Sequence, residues 1–168
     1  MAAPTLVSPA EYLKTSFDGL DREYVDGELI ERTMPTYLHA RIQARLIFLF
    51  ETLGQRLPIF PAPELRLAIG PHRLYRIPDV SVFSGDEPHE PVPSNPPLVA
   101  IEILSPDDRL AETLKKFDEY HQFGVAHIWL IDPTEKKFYT FDANGLHPVP
   151  ALNLPQFDFS LTFTDLGL

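Results

Sequence analysis

The sequence of 168 residues contains no cysteine, which excludes a disulfide framework, a thiolate metal site and a cysteine nucleophile. Long hydrophobic runs are missing as well, since the longest, Leu46 to Phe50, is far too short to span a bilayer. No basic segment followed by an apolar stretch opens the chain, which argues against a secretory signal. We therefore expect a soluble, cytoplasmic protein with no membrane partner.

Basic side chains are scarce, with 14 Lys and Arg against 24 Asp and Glu, giving a net charge of −10. The imbalance lies in residues 85–168, where five basic side chains face fourteen acidic ones. A strong nucleic-acid binder is expected to be basic, so this charge weighs against one. A local arginine face remains compatible with it.

The length and the 44% share of hydrophobic residues suit one globular domain over residues 1–168. Eighteen prolines, about twice the usual share, indicate rigid loops between short elements. Hydrophobic periodicity predicts helices and strands in mixed order, with a motif-bearing core at about 20–150. The predicted helices cover 8–16, 37–57 and about 107–123; the predicted strands cover 23–25, 28–30, 64–69, 77–83, 98–104, 127–131, 136–141, 146–149 and one in the tail after 153. This order predicts an α/β or α+β fold, with a central mixed β-sheet flanked by helices.

Glu102 is the sharpest chemical signal, because it is the one charged residue in the apolar segment Leu98 to Leu104. Such a run is typical of a strand buried on both faces, and a buried carboxylate is costly unless it is paired or bound to a metal. The alternatives are a structural ion pair or a strand whose end reaches solvent.

Asp79 and Lys116 give weaker signals of their own. Asp79 follows Pro78 in a predicted strand, where most Pro-Asp pairs only mark a turn or a strand start. In the third predicted helix, Leu110, Leu114, Phe117 and His121 are expected to face the core. Lys116 then lies at the edge of the apolar stripe, one turn before Tyr120, where a lysine can also lie along the surface.

Taken together, two carboxylates from two strands and a nearby lysine suit metal-assisted hydrolysis of a phosphodiester. Carboxylate oxygens hold hard cations such as Mg²⁺, which lower the pKa of a bound water. A lysine adds positive charge for that water or for the phosphate.

An ordered set of short motifs resembles the Uma family of bacterial restriction endonucleases, a branch of the PD-(D/E)XK nuclease superfamily. The likeness covers roughly residues 6 to 150 and implies a restriction endonuclease-like fold. The motifs are Tyr24-Val25-Asp26-Gly27-Glu28-Leu29, His39, Arg76-Ile77-Pro78-Asp79-Val80, Val99 to Pro106, Lys116-Phe117-x-x-Tyr120 and Gly124 to Pro133.

The resemblance implies roles for particular residues of this chain. Asp79 and Glu102 would be catalytic metal ligands for Mg²⁺ or Mn²⁺, helped by the backbone carbonyl of Ile103, and Lys116 would be the catalytic lysine. The superfamily pattern places that lysine two residues after the glutamate, where this chain has Leu104. Glu28 either adds a third metal-binding carboxylate or is a solvent-facing hairpin residue. Residues considered for substrate contact are His39, Arg41, Arg45, Arg76 and Tyr120.

These features predict an enzyme, a Mg²⁺-dependent endodeoxyribonuclease that works on DNA as a homodimer, the dimer resting on the resemblance alone. One alternative is a non-catalytic interaction module that retains the nuclease fold, which the acidic charge favours. Another is a hydrolase of small phosphoesters or nucleotides. Metal titration and short substrates distinguish the three.

Overall fold

The structure is a computed structural model that describes residues 6–71 and 73–168. Its helices are α1 (Pro9–Lys14), α2 (Tyr37–Gly54) and α3 (Leu110–Phe123), with a 3-10 helix at Pro155–Phe157. Its strands are β1 (Glu23–Val25), β2 (Glu28–Ile30), β3 (Ile59–Pro63), β4 (Leu67–Ala68), β5 (Leu74–Arg76), β6 (Val80–Ser84), β7 (Val99–Ile103), β8 (His127–Asp132), β9 (Lys137–Asp142), β10 (Gly145–Val149), β11 (Leu152–Leu154) and β12 (Phe159–Leu161).

The main sheet has six strands in the order β10-β9-β8-β7-β6-β3. Its centre is β7, which pairs parallel to β8 and antiparallel to β6. The parallel pair requires a crossover connection, and α3 supplies it. The predicted mixed sheet flanked by helices is therefore confirmed.

The two faces of the sheet pack against different helices because side chains alternate along a strand. Val99, Ile101 and Ile103 of β7 belong to the core layer that includes the apolar stripe of α2. Ala100 lies on the opposite face, in the layer that includes Phe117 and Tyr120 of α3. The alternation therefore directs Glu102 toward α3.

Helix α2 begins at its N-cap Thr36, whose hydroxyl accepts a hydrogen bond from the His39 N–H. Its buried apolar residues are Ile42, Leu46, Phe50 and Leu53, a stripe with the three- and four-residue spacing of an amphipathic helix. Among the residues that the structure describes, no helix has both the length and the apolarity needed to cross a membrane.

A smaller sheet has the order β2-β1-β5-β4 and packs around the buried rings of Tyr12, Tyr24 and Tyr75. The hairpin of β1 and β2 turns at Asp26 and Gly27, whose φ angles of 50° and 101° fit a tight turn with two left-handed residues. This sheet carries Glu23 at the start of β1, which the hydrogen bond from the Ile77 N–H ties to the chain entering β6.

The strands predicted at 64–69 and 77–83 are shorter than expected. Glu64 has a φ of 48°, which interrupts the extended backbone at this residue. Of the strand predicted at 64–69, only Leu67–Ala68 is a strand in the structure. The strand Ile59–Pro63 was not predicted, because its two prolines argue against a strand. It lies at the sheet edge, where a proline without an N–H is tolerated.

Two further predictions need correction. The tail contains two short strands, β11 and β12, joined by the 3-10 helix instead of one strand. In α3, Leu110 and His121 are exposed, whereas Thr113, Phe117 and Tyr120 are buried. The apolar stripe is therefore rotated from the predicted one, toward the side that carries Lys116.

Candidate active site

A cavity of about 380 Å³ lies between the end of β7, the first half of α3 and the loop that joins β2 to α2. Charged side chains of both signs line it, from five separate parts of the chain. They include Glu23, Arg32, Arg76, Asp79, Glu102 and Lys116. The cavity therefore combines segments that are distant in the sequence but meet at one end of the central strand.

Glu102 points from β7 into this cavity, and its side chain is 13% exposed. One oxygen, Oε1, accepts a hydrogen bond of 2.7 Å from the Tyr120 hydroxyl and lies 2.9 Å from Lys116 Nζ. Burial is the main cause that raises the pKa of Glu102 to about 7; Asp79 and Glu23 act in the same direction, and Lys116 acts against them. Seven carboxylates line the cavity against four lysine and arginine side chains, so its lining is net negative.

Asp79 lies just before β6 and is held from three directions. Its Oδ2 accepts a hydrogen bond of 2.7 Å from the Ile103 N–H and lies 3.1 Å from His39 Nε2, while its Oδ1 lies 3.2 Å from Arg32 Nη2. Burial opposes its charge, but the hydrogen bonds from His39 and Ile103 outweigh burial and hold the pKa of Asp79 below its usual value. Because Ile103 follows Glu102 directly, both carboxylates lie at the same peptide unit.

Lys116 joins two of the carboxylates. Its Nζ lies 2.9 Å from Glu102 Oε1 and 3.1 Å from Glu23 Oε1. Burial alone would lower the pKa of Lys116, but the two carboxylates raise it above its usual value. Lys115, one residue earlier, is exposed, so the helix directs the second lysine of the pair into the cavity.

Glu23 is a third buried carboxylate that sequence reasoning missed. It is 3% exposed and accepts hydrogen bonds of 2.9 Å from Arg76 Nη1 and 3.0 Å from the Ile77 N–H. Burial acts against ionisation, yet Lys116 and Arg76 hold the pKa of Glu23 below its usual value. A three-residue hairpin strand gives no sequence signal of burial, because an acidic residue beside Tyr24 is usually solvated.

Arg32 was also missed, and it lines the cavity from the loop after β2. Its side chain is 11% exposed, and its Nη1 is 3.6 Å from Glu64 Oε2 without forming a hydrogen bond. Nothing in a loop sequence marks such an arginine. The only pointer is that nearly all basic residues of the first half are arginines, the type preferred for buried ion pairs and phosphates.

The remaining predicted residues fall into two groups. His39 and Arg76 line the cavity, and Tyr120 is connected to it through its hydrogen bond to Glu102; His39 contacts Asp79, and Arg76 is bound by Glu23 and by Glu119 at 2.6 and 3.0 Å. The others lie outside the cavity lining. Glu28 is exposed, Arg45 Nε donates to the Asp165 carbonyl at 2.8 Å, and Arg41 is exposed beside Gly167.

The cavity fits a hard divalent cation with few protein ligands. No group of three or more His, Asp or Glu side chains that could hold a metal occurs within residues 6–71 and 73–168. Mg²⁺ is commonly held by one or two carboxylates together with water and substrate phosphate, and Asp79 and Glu102 offer such a pair. The acidic side chains that line the cavity outnumber the basic ones, and a cation would relieve this excess of negative charge. The contact that Ile103 makes here is through its N–H.

Comparison with solved structures finds a protein of Anabaena variabilis ATCC 29413, described as a "putative nuclease belonging to DUF820". The two chains are 26% identical and superpose with a TM-score of 0.80, over 95% of this chain and 97% of that one. The curated proteins contain no match.

The family model Uma2, described as "Putative restriction endonuclease", matches residues 9–164. This range includes the carboxylates, the lysine and the arginines of the cavity. The family and the neighbouring structure together support a nuclease function. Because the match covers nearly the whole sequence, the chain belongs to the Uma2 family.

Proposed function

We propose that the protein is a divalent-metal-dependent endonuclease that hydrolyses phosphodiester bonds of DNA, acting as a cytoplasmic homodimer. The observation that carries this proposal is the meeting of Asp79, Glu102 and Lys116 in one cavity, although they come from the residue before β6, from β7 and from α3. Structural ion pairs also occur in proteins, but here the acidic side is in excess, which favours an additional cation.

Asp79 and Glu102 would hold Mg²⁺ or Mn²⁺, with Ile103 offering its carbonyl oxygen. When bound, the metal would lower the pKa of a water and stabilise charge on the phosphate. The Tyr120 hydroxyl orients Glu102, while His39 and the Ile103 N–H orient Asp79. These contacts fix both carboxylates in one geometry before substrate arrives.

Lys116 would act as a proton-bearing, positively charged group and not as a general base. Its pKa lies above the usual value because of Glu102 and Glu23, so its ammonium keeps all three protons at neutral pH. In this position it donates a hydrogen bond to the attacking water or to a phosphate oxygen. Hydrolysis forms a bond from that water to phosphorus and breaks one P–O bond, with a proton passing to the leaving oxygen.

The test is cleavage of supercoiled and linear DNA by the full chain with Mg²⁺ or Mn²⁺, and with EDTA as the metal-free control. We expect Asp79→Ala and Glu102→Ala each to reduce the rate by roughly a thousandfold or more, since each removes charge that holds the metal. Lys115→Ala is the matched control, because this exposed lysine lies beside Lys116 without reaching the cavity. Wild-type rates in both carboxylate variants would rule the mechanism out.

A hydrolase of small phosphoesters is the second candidate, and the acidity of the cavity favours it. Its lining includes the further acids Glu31, Asp107, Asp108 and Glu112. Long DNA is repelled by such charge more strongly than a nucleotide is. Turnover of nucleotides or short phosphodiesters without cleavage of duplex DNA would select this candidate, and sedimentation of the purified chain tests the dimer.

A further inference from the structure

The three basic side chains buried at the cavity differ in how fully their donors are used. The guanidinium of Arg76 is already engaged by protein carboxylates, because it donates two hydrogen bonds to Glu119 and one to Glu23. Lys116 contacts two carboxylates at 2.9 and 3.1 Å. With the residues that the structure describes, Arg32 makes only one hydrogen bond, the 3.2 Å contact with Asp79, although a guanidinium carries five N–H donors.

The buried donor of Arg32 without a hydrogen-bond partner lies on one of the two terminal nitrogens of its guanidinium. Nη1 is buried and makes no hydrogen bond with any described residue, while Glu64 Oε2 lies 3.6 Å away. Burying a donor without a hydrogen-bond partner is unfavourable. Such a donor is therefore a candidate to bind a further acceptor.

Arg32 also occupies a place that a metal would need. Its Nη2 lies at Asp79 Oδ1, whereas the other oxygen of Asp79 is engaged by the Ile103 N–H and His39. A divalent cation bound at Asp79 would repel the guanidinium at this short distance in a poorly solvated cavity. Metal and Arg32 therefore compete for the same carboxylate oxygen.

From this arrangement we propose that Arg32 is the phosphate-binding residue of the site, held by Asp79 until a divalent cation displaces it. The proposal rests on the proposed function, because it names the group that receives the substrate phosphate. Once displaced, the guanidinium remains in the cavity with both Nη atoms free, and its planar fork matches two oxygens of one phosphate. Arg32 thus supplies positive charge to the substrate only when the metal is present.

The first measurement is the affinity of the full chain for Mn²⁺ without DNA, determined by titration calorimetry. We expect Arg32→Gln to bind Mn²⁺ on the order of tenfold more tightly than the wild type, since the competing charge is gone. Arg32→Lys keeps that charge and should stay within a few-fold of the wild type. Arg56→Gln, an exposed arginine at the end of α2, is the matched control and should change nothing.

The second measurement is binding of a fluorescent duplex DNA with Ca²⁺ in place of Mg²⁺, at several salt concentrations. Arg32→Gln should weaken binding roughly tenfold and reduce the slope of log affinity against log salt by about 0.9, the value for one lost phosphate contact. Unchanged or weaker Mn²⁺ binding in Arg32→Gln, or a salt slope equal to that of the wild type, would overturn the proposal. If both measurements agree with it but the wild type cuts no DNA, the proposed catalytic function fails while the role of Arg32 stands.

Discussion

The two faces of the six-stranded sheet differ in the chemistry of the side chains that cover them. Against α2, beyond its first turns, where His39 and Gln43 contact Asp79, the layer is a hydrophobic cluster that includes Ile42, Leu46, Phe50, Ile101 and Trp129. Against α3 the layer begins equally apolar, but at the end of β7 it becomes a cavity of charged groups. Side chains alternate along β7. This strand therefore contributes both to the apolar core against α2 and to the proposed active site against α3.

The two faces contribute to the stability of this fold in different ways. Apolar burial on the α2 face is favourable without further conditions. On the α3 face, each buried charge depends on a partner, and burial raises the pKa of Glu102 although Lys116 and Tyr120 contact it. We therefore expect substitutions on the two faces to have opposite signatures in stability and in metal binding.

The largest expected effect is on the α2 face. Phe50 is fully buried, with its ring 5.0 Å from that of Phe159 and 6.3 Å from that of Trp129. Phe50→Ala should lower the free energy of unfolding by about 4 kcal/mol, because it removes a large side chain and leaves a cavity. Urea unfolding measures this, and Mn²⁺ affinity of the folded variant should remain that of the wild type. A large change in that affinity would mean that the two faces are coupled.

Lys116→Met should give the next largest loss and should depend on pH. At pH 8 without metal it leaves Glu102 and Glu23 without their shared cation, so the free energy of unfolding should fall by about 3 kcal/mol. At pH 5 Glu102 is protonated and the loss should be smaller. Lys115→Met, on the exposed side of the same helix, is the control. Equal losses in both variants would show that helix packing, and not the charge, is responsible.

The main sheet and the candidate residues Asp79, Glu102 and Lys116 could be predicted because their sequence signals are local. Glu102 stands out within an unbroken apolar strand, and helical periodicity places Lys116 at the edge of the apolar stripe. The periodicity was wrong about Leu110, since a helix covered at one end by a polar cavity need not bury every apolar residue. The strand at Ile59–Pro63 escaped because only tertiary position, at the sheet edge, makes its prolines acceptable.

Glu23 and Arg32 could not be predicted, since their burial is created by segments far away in the chain. Glu23 is enclosed by Arg76, Ile77 and Lys116, which are separated from it by 53 residues or more. Arg32 meets Asp79 across 47 residues. Local periodicity carries no information about contacts of this range, and only the assembled sheets bring these groups together.

The pH dependence of stability should also separate the faces. In EDTA, the pKa of Glu102 is about 7 in the folded protein and about 4.3 in the unfolded chain, so the folded state binds more protons between these values. Its contribution is complete below the unfolded pKa and is lost as pH rises through 7, by about 2 kcal/mol from pH 5 to pH 7. The raised pKa of His39 continues the decline above its ordinary value. Glu102→Gln should flatten the curve between pH 5 and 7, which urea unfolding measures; a slope retained in that variant would contradict the assignment.

Tyr120 allows the most specific test, because its ring belongs to the apolar layer and its hydroxyl contacts the charged group Glu102. Its ring is buried beside Phe117, while its hydroxyl donates to Glu102 at 2.7 Å. Tyr120→Phe keeps the ring and removes one hydrogen bond to a carboxylate, so the free energy of unfolding should fall by about 1 kcal/mol. The same change removes a donor to the charged form of Glu102, so the pH at which stability declines should move upward.

Tyr12→Phe is the matched control for this variant. Tyr12 is also fully buried and donates at 2.7 Å, but its acceptor is the Arg22 carbonyl and not the titrating carboxylate. It should lose a similar free energy of unfolding without moving the pH of the decline. If both variants shift that pH equally, the decline does not come from Glu102. If only Tyr120→Phe shifts it, the hydroxyl acts on the charge of the cavity while the ring acts on the core, and the boundary between the two environments passes through a single side chain.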